Sequence, residues 1–94
     1  MVYVYLKHRN ETLLDVMAHT MAEKLRALFG NRILGPDKPP VARIQTLFIR
    51  KIVVKIEQNA PMSRARELLL RVQREMIEDE RFKSLIVYYD VDPM

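Results

Sequence analysis

Paired acidic residues and two histidines are the side chains that could serve in acid–base or metal chemistry. Asp90 and Asp92 stand at alternate positions, so on a strand both carboxylates would point to the same side. No third ligand lies close to them in sequence, which favours a strand end whose carboxylates accept backbone or arginine hydrogen bonds. His8 and His19 are far apart along the chain and are expected at the solvent edge, with a metal pair or a general base as the open alternative. We therefore predict no catalytic residue and no metal ligand.

Aromatic and cationic side chains alternate in a pattern that could bind nucleic acid. Residues at alternate positions of a strand point to one side, and three predicted strands contribute to a single open sheet face. The residues expected there are Tyr3, Tyr5, Lys7, Lys51, Lys55 and Tyr88. Aromatic rings on such a face can stack on bases while lysines hold phosphates. Two other interpretations stay open: tyrosine simply favours strands, or this face packs on another domain.

Two further basic segments could bind an acidic partner. The first segment contains Arg43, Arg50 and Lys51. The second contains Arg64 and Arg66 at the predicted start of a helix. Free backbone N–H groups and the helix dipole favour an anion at such a position, and an arginine can complete a carboxylate site. A solvated helix start, with the arginines paired to nearby glutamates, is the competing interpretation.

The sequence contains no parts for motor or zinc chemistry. Nucleotide-hydrolysing motors hold phosphates in a glycine-rich loop that ends in Lys and Ser or Thr. The only glycines, Gly30 and Gly35, begin no such loop. Cysteine is absent, which excludes disulfides and thiolate–zinc sites and fits a reducing cytoplasm. We expect a cytoplasmic location and no cofactor bound by this chain.

Length and composition indicate one globular domain. The 94 residues are 49% hydrophobic, which suits a single modest core. No apolar run approaches the ~20 residues of a membrane span, so we expect no membrane partner. The net charge of +4 mildly favours an acidic partner.

The hydrophobic pattern predicts four strands and two helices, joined in the middle by a proline-rich connection, and these would position the residues above. The first half of the chain contains a strand over 2–9, a helix capped by Asn10 and Gly30, and a strand over 31–34. A proline-rich connection with Pro36, Pro39 and Pro40 follows. The second half contains a strand region over 44–57, a helix capped by Ser63 and a strand over 85–91. Apolar residues at helical spacing give two buried stripes: Leu14, Met17, Met21, Leu25 and Leu28 in the first helix, and Ala65, Leu68, Leu69, Val72 and Met76 in the second. The predicted fold is an α+β, ferredoxin-like sandwich, in which an antiparallel sheet carries both helices on one face.

Three segments of the chain, in this order, resemble one family. They are Leu6-Lys7-His8-Arg9, the segment ILGPDKPPVAR over 33–43, and Asp90-Val91-Asp92-Pro93. Together they are similar to the C-terminal domain of the primosomal protein N-prime family, the bacterial replication-restart DNA helicases. The likeness covers essentially the whole chain, but only this one domain of a larger helicase.

The resemblance implies a non-catalytic domain whose parent carries the ATP, magnesium and zinc sites elsewhere. It implies docking on the motor domains, contact with branched or single-stranded DNA, and partners in primosome assembly. It assigns Arg43 and Phe48 to a basic segment, although the family's other positions in this stretch differ here. It also associates Arg64 with the acidic tail of single-stranded DNA-binding protein, while the glutamine that the family has one turn later is Leu68.

Two other function classes remain open from the sequence. One is an RNA-binding or ribosomal-type protein, since a small ribosomal-subunit protein has a similar order of elements. The other is a small-molecule regulatory domain of ferredoxin-like type. The 12 acidic residues disfavour the first, and the two glycines disfavour the second.

Overall fold

Five strands and two long helices make up the protein. The structure is a computed structural model that describes residues 1–57 and 61–91. In chain order the elements are β1 (Val2–His8), α1 (Glu11–Phe29), β2 (Ile33–Asp37), β3 (Arg43–Ile44), β4 (Leu47–Val54), α2 (Met62–Glu78) and β5 (Ile86–Val91). Single 3₁₀ turns over Gly30–Arg32 and Glu80–Phe82 follow the two helices.

The sheet has the strand order β2-β4-β1-β5, and every neighbouring pair is antiparallel. The short strand β3 forms a hairpin with β4. Both helices pack against one face of this sheet and share one core with it. The predicted α+β, ferredoxin-like architecture is therefore confirmed.

Strict alternation in the central strands separates the core from the opposite sheet face. On β1, the buried residues Val2, Val4 and Leu6 face the helices, and the intervening residues face away from them. The predicted helix stripes are buried except at two positions. Leu28, in the last turn of α1, is 40% exposed, and Leu68 is half-buried.

The ends of α1 confirm their predicted caps, but α2 does not. The Asn10 side chain accepts a hydrogen bond from the Leu13 N–H, and Gly30 ends the helix with a φ of 67°. For α2 the prediction of Ser63 as the cap is wrong, because the helix begins at Met62 after Pro61. Proline suits a helix start, since its ring fixes φ near the helical value and its missing N–H needs no partner there.

Strand boundaries differ from the predictions around the proline-rich connection. Strand β2 continues to Asp37, because an edge strand tolerates Pro36, which has no N–H to donate. The predicted strand over 44–57 is instead a hairpin that turns at Gln45 and Thr46 and ends at Val54. The positions Asp92 and Pro93 lie outside the described residues.

Candidate nucleic-acid interface

The sheet surface opposite the helices brings most of the expected aromatic and cationic residues together. We call it the tyrosine face and define it by Tyr3, Tyr5, Lys7, Lys51 and Tyr88. Its residues come from the three strands β4, β1 and β5, which are neighbours in the sheet. Tyr5 is the centre, because its register partners are Lys51 on one side and Tyr88 on the other.

The rings of the tyrosine face are already stacked and flanked by cations. The centroids of Tyr5 and Tyr88 are 4.8 Å apart, with 13° between their planes. The Lys7 ammonium lies 4.8 Å from the Tyr88 centroid, and the Lys51 ammonium lies 5.3 Å from the Tyr3 centroid. Each cation–π contact holds a lysine beside a ring, so the surface offers flat apolar area and positive charge at the same place.

The phenol of Tyr5 stays neutral on this face. Burial raises the pKa of Tyr5, and the nearby Asp90 carboxylate raises it further. A neutral ring adds no repulsion toward a phosphate backbone, so the positive charges of Lys7 and Lys51 are the ones that a nucleic acid would meet.

Part of the tyrosine face is covered by the proline-rich connection, which sequence reasoning missed. Ile49 points to this face, yet it is only 3% exposed. Pro39, Pro40 and Val41 line a cleft of about 400 Å³ together with Tyr5 and Tyr88. The available signal was the run of apolar residues Leu47 and Ile49 on the same side of β4 as Lys51, which indicated that something covers this side of the strand.

Arg50 was expected among the binding residues, and the structure removes it from them. It lies on the helix side of β4 and is 3% exposed. Its guanidinium donates hydrogen bonds to Asp15 Oδ1 at 2.7 Å, to Glu11 Oε2 at 2.9 Å and to the Ile49 carbonyl at 2.9 Å. Burial disfavours its charge, but the bonds to Asp15 and Glu11 outweigh it and raise the pKa of Arg50. The residue ties α1 to the sheet and is not free for a ligand.

Arg43 and Lys55 also lie away from the tyrosine face. Arg43 pairs with Phe48 across the β3–β4 hairpin, and its guanidinium lies 5.1 Å from the centroid of that ring, on the helix side. Lys55 follows the last residue of β4 and is exposed, with its backbone N–H bound to the Arg32 carbonyl. Neither residue joins the aromatic cluster, because Arg43 points to the helix side of the sheet and Lys55 lies beyond the end of β4.

The two arginines at the start of α2 have different surroundings. The side chain of Arg64 is 67% exposed and forms a salt bridge of 3.2 Å to Glu67 one turn later. Arg66 lines an apolar groove of about 300 Å³ between α2 and β5, with Met62, Tyr89 and Val91. An acidic ligand at Arg64 would have to displace the Glu67 carboxylate. The Arg64–Glu67 salt bridge is exposed and therefore weak.

In the described part of the chain, the histidines and carboxylates form no metal-binding group. Within residues 1–57 and 61–91, no group of three or more His, Asp or Glu side chains could hold a metal ion. His19 is exposed on α1, and His8 lies half-buried at the end of β1. The pairing of Asp90 with Asp92 cannot be described, since Asp92 lies outside the described residues.

Comparisons with known proteins add no relative. No family model, no curated protein and no solved structure matches this chain. None of the helices in the described part is long and apolar enough to cross a membrane.

Proposed function

We propose that this chain is a non-catalytic, cytoplasmic nucleic-acid-binding domain, the C-terminal domain of a replication-restart DNA helicase. The tyrosine face holds single-stranded segments of branched DNA by stacking bases on Tyr5 and Tyr88 and by placing phosphates near Lys7 and Lys51. The observation that carries the proposal is the stacked tyrosine pair with its flanking lysines. Aromatic platforms beside positive charge bind single strands without sequence preference.

The larger assignment rests on the resemblance of three segments to the primosomal helicase family. All three lie at the tyrosine face. Lys7 belongs to the first segment, Pro39 and Pro40 of the second line a cleft with Tyr5 and Tyr88, and Asp90 of the third is the register partner of Tyr3. In such a parent, ATP, magnesium and zinc are bound by other domains, and the remaining surface of this domain docks on the motor. Arg64 contributes to binding the acidic tail of single-stranded DNA-binding protein, and its exposure supports that role.

Oligonucleotide titration of matched variants tests the platform. The Tyr5→Leu and Tyr88→Leu variants keep apolar bulk in the strands but remove the rings. Each is expected to weaken binding of a labelled single-stranded 12-mer by fivefold or more, since stacking contributes about 1–3 kcal/mol per base. Tyr89→Phe is the control, because Tyr89 lies on the helix side of β5. This variant should bind the 12-mer with unchanged affinity. Equal affinities for all three variants would exclude stacking on this face.

RNA is the second candidate ligand, favoured by the same observation. A stacked aromatic pair on an open sheet presents a surface that accepts bases of either sugar type. Parallel titrations with DNA and RNA of the same sequence separate the two. Tighter DNA binding, with further preference for a forked duplex, supports the helicase assignment, whereas a clear preference for RNA supports the alternative.

A further inference from the structure

A polar cleft opens at the Lys7 end of the tyrosine face. Its volume is about 650 Å³, and Ile86, the register partner of Lys7, lines it. The polar side chains that line it come from the end of β1, the tip of the β3–β4 hairpin and the residues before β5. They are His8, Arg9, Gln45, Thr46 and Ser84. The cleft therefore adjoins the tyrosine face at Ile86, at the end of the sheet.

Hydrogen bonds inside the cleft determine which of its groups donate and which accept. The His8 Nδ1 accepts the backbone N–H of Asn10 at 3.0 Å, so a neutral His8 carries its proton on Nε2. That Nε2–H then donates to Ser84 Oγ at 2.7 Å. Because the Ser84 oxygen accepts this bond, its own hydroxyl proton is left to donate to a ligand. The arrangement therefore turns Ser84 into a donor.

The charge of the cleft is positive and uncompensated. Arg9 forms no salt bridge to any residue of the described ranges, and none of the lining side chains is a carboxylate. Thr46 adds a second hydroxyl and Gln45 adds an amide that can donate. A cleft that has a guanidinium, two hydroxyls and an amide, and no acidic group, matches the acceptor oxygens of a phosphate.

The backbone of the hairpin tip is held in a costly conformation at this cleft. Gln45 has a φ of 55°, in the left-handed region that residues with a side chain rarely adopt. The Arg43 Nε donates to the Gln45 carbonyl at 3.1 Å and thereby pins the turn. Residues held in such conformations cluster at ligand sites. Gln45 therefore stands beside the cleft in a turn whose backbone is fixed by the two-residue hairpin.

We propose that this cleft, built from His8, Arg9, Gln45, Thr46 and Ser84, is a phosphate-binding site that receives a phosphate of the strand bound on the tyrosine face. The link to a strand rests on the proposed function, whereas the preference for phosphate does not. The phosphate is either a terminal monoester at a strand end or an internal phosphodiester of a passing strand. Both present non-bridging phosphate oxygens that can accept hydrogen bonds from Arg9 and Ser84.

Inorganic phosphate is the first probe, and its binding is followed by NMR. The reference is a chloride titration at the same ionic strength. Saturable shifts of the His8 ring and the Arg9 and Ser84 amides are expected. Arg9→Gln and Ser84→Ala should each weaken this binding, the former by about tenfold because it removes the charged donor. Arg74→Gln is the matched control, since Arg74 is exposed on α2. Phosphate shifts that are absent, or equal in Arg9→Gln and Arg74→Gln, would overturn the proposal.

Oligonucleotides then separate this inference from the proposed function. Short thymidine strands with a 5′-phosphate, a 3′-phosphate or hydroxyl ends are titrated against the same variants. Tighter binding of one phosphorylated end that disappears in Arg9→Gln identifies a terminal monoester, and equal binding of all three that weakens in Arg9→Gln identifies an internal phosphodiester. Strand binding that is indifferent to Arg9 overturns the phosphate site alone. Phosphate binding without any strand binding leaves the site standing and contradicts the proposed function.

Discussion

Arg50 shows how one residue of a basic segment can belong to the fold and not to a ligand. Its side chain is buried, while the carboxylates of Glu11 and Asp15 that bind it are about half exposed. Removing the guanidinium and removing the carboxylates should therefore have different effects on stability. An exposed carboxylate regains water, whereas a buried guanidinium does not.

We expect this difference to appear in the free energy of unfolding measured by urea denaturation. Arg50→Met should cost about 1–2 kcal/mol, because the freed carboxylates are solvated and still suit the N-terminus of α1. The double change Glu11→Gln with Asp15→Asn should cost about 3 kcal/mol, because it leaves the buried charge without a counterion. Glu23→Gln, at an exposed position of α1, is the control and should stay within about 0.5 kcal/mol. A larger loss for Arg50→Met than for the double change would contradict this account.

Tyr89 gives the protein a pH-dependent stability at alkaline pH. Its hydroxyl donates to Gln73 Oε1 at 2.7 Å, and burial raises the pKa of Tyr89 from 10.0 to about 12. Because the folded pKa is the higher one, the stabilisation is fully present below pH 10 and is lost as the pH rises toward 12. Tyr89→Phe should cost about 1 kcal/mol at pH 7 through the lost hydrogen bond. The difference in unfolding free energy between the two proteins should shrink between pH 10 and 12, and a constant difference would rule out this titration.

At the scale of the elements, hydrophobic periodicity was sufficient to predict the regular strands and helices, but the irregular backbone segments could not be predicted from it. The alternation of β1 and the helical stripes predicted the order of strands and helices correctly, since burial on one face dictates both patterns. The hairpin at Gln45 was missed because a non-glycine residue with positive φ gives no turn signal. The extension of β2 through Pro36 was missed because proline marks a break unless the strand is known to lie at an edge.

Gly35 sets the contact between β2 and β4 through its backbone. Its φ is 97°, and an added Cβ would lie 2.9 Å from the Lys51 carbonyl oxygen, whereas a Cβ on Gly30 would meet nothing within 4 Å. Gly35→Ala should therefore cost about 2–3 kcal/mol from strain plus the clash, and Gly30→Ala about 1 kcal/mol from strain alone. Urea denaturation of both variants checks the ranking. Equal losses would mean that the two backbones relax alike and that the close approach at Gly35 is unimportant.

At the scale of the whole molecule, the sequence predicted which side chains share a sheet face better than it predicted which side chains are available to bind a ligand. The shared face of Tyr3, Tyr5 and Lys7 follows from strand alternation alone, and the structure adds the stacking of Tyr5 on Tyr88 and the cation–π contact of Lys7 with Tyr88. Arg43 and Arg50 lie on the helix side because of the side of β3 and β4 to which each residue points, and a register cannot be read from a basic run. The polar cleft could not be predicted, because its residues come from three separate segments.

The distribution of charge over the molecule determines how strand binding should depend on salt. Three cations lie on or beside the tyrosine face and its adjoining cleft: Lys7, Lys51 and Arg9. Each phosphate neutralised on a single strand contributes about −0.7 to the slope of log affinity against log salt, so the expected slope is about −2. Titrations of a 12-mer at several salt concentrations measure it, and binding should be weak and nearly independent of sequence. Lys51→Gln should reduce the slope by about 0.7, while Arg74→Gln on α2 should leave it unchanged. A slope that falls in Arg74→Gln and not in Lys51→Gln would mean that the helix layer, and not the tyrosine face, meets the phosphates.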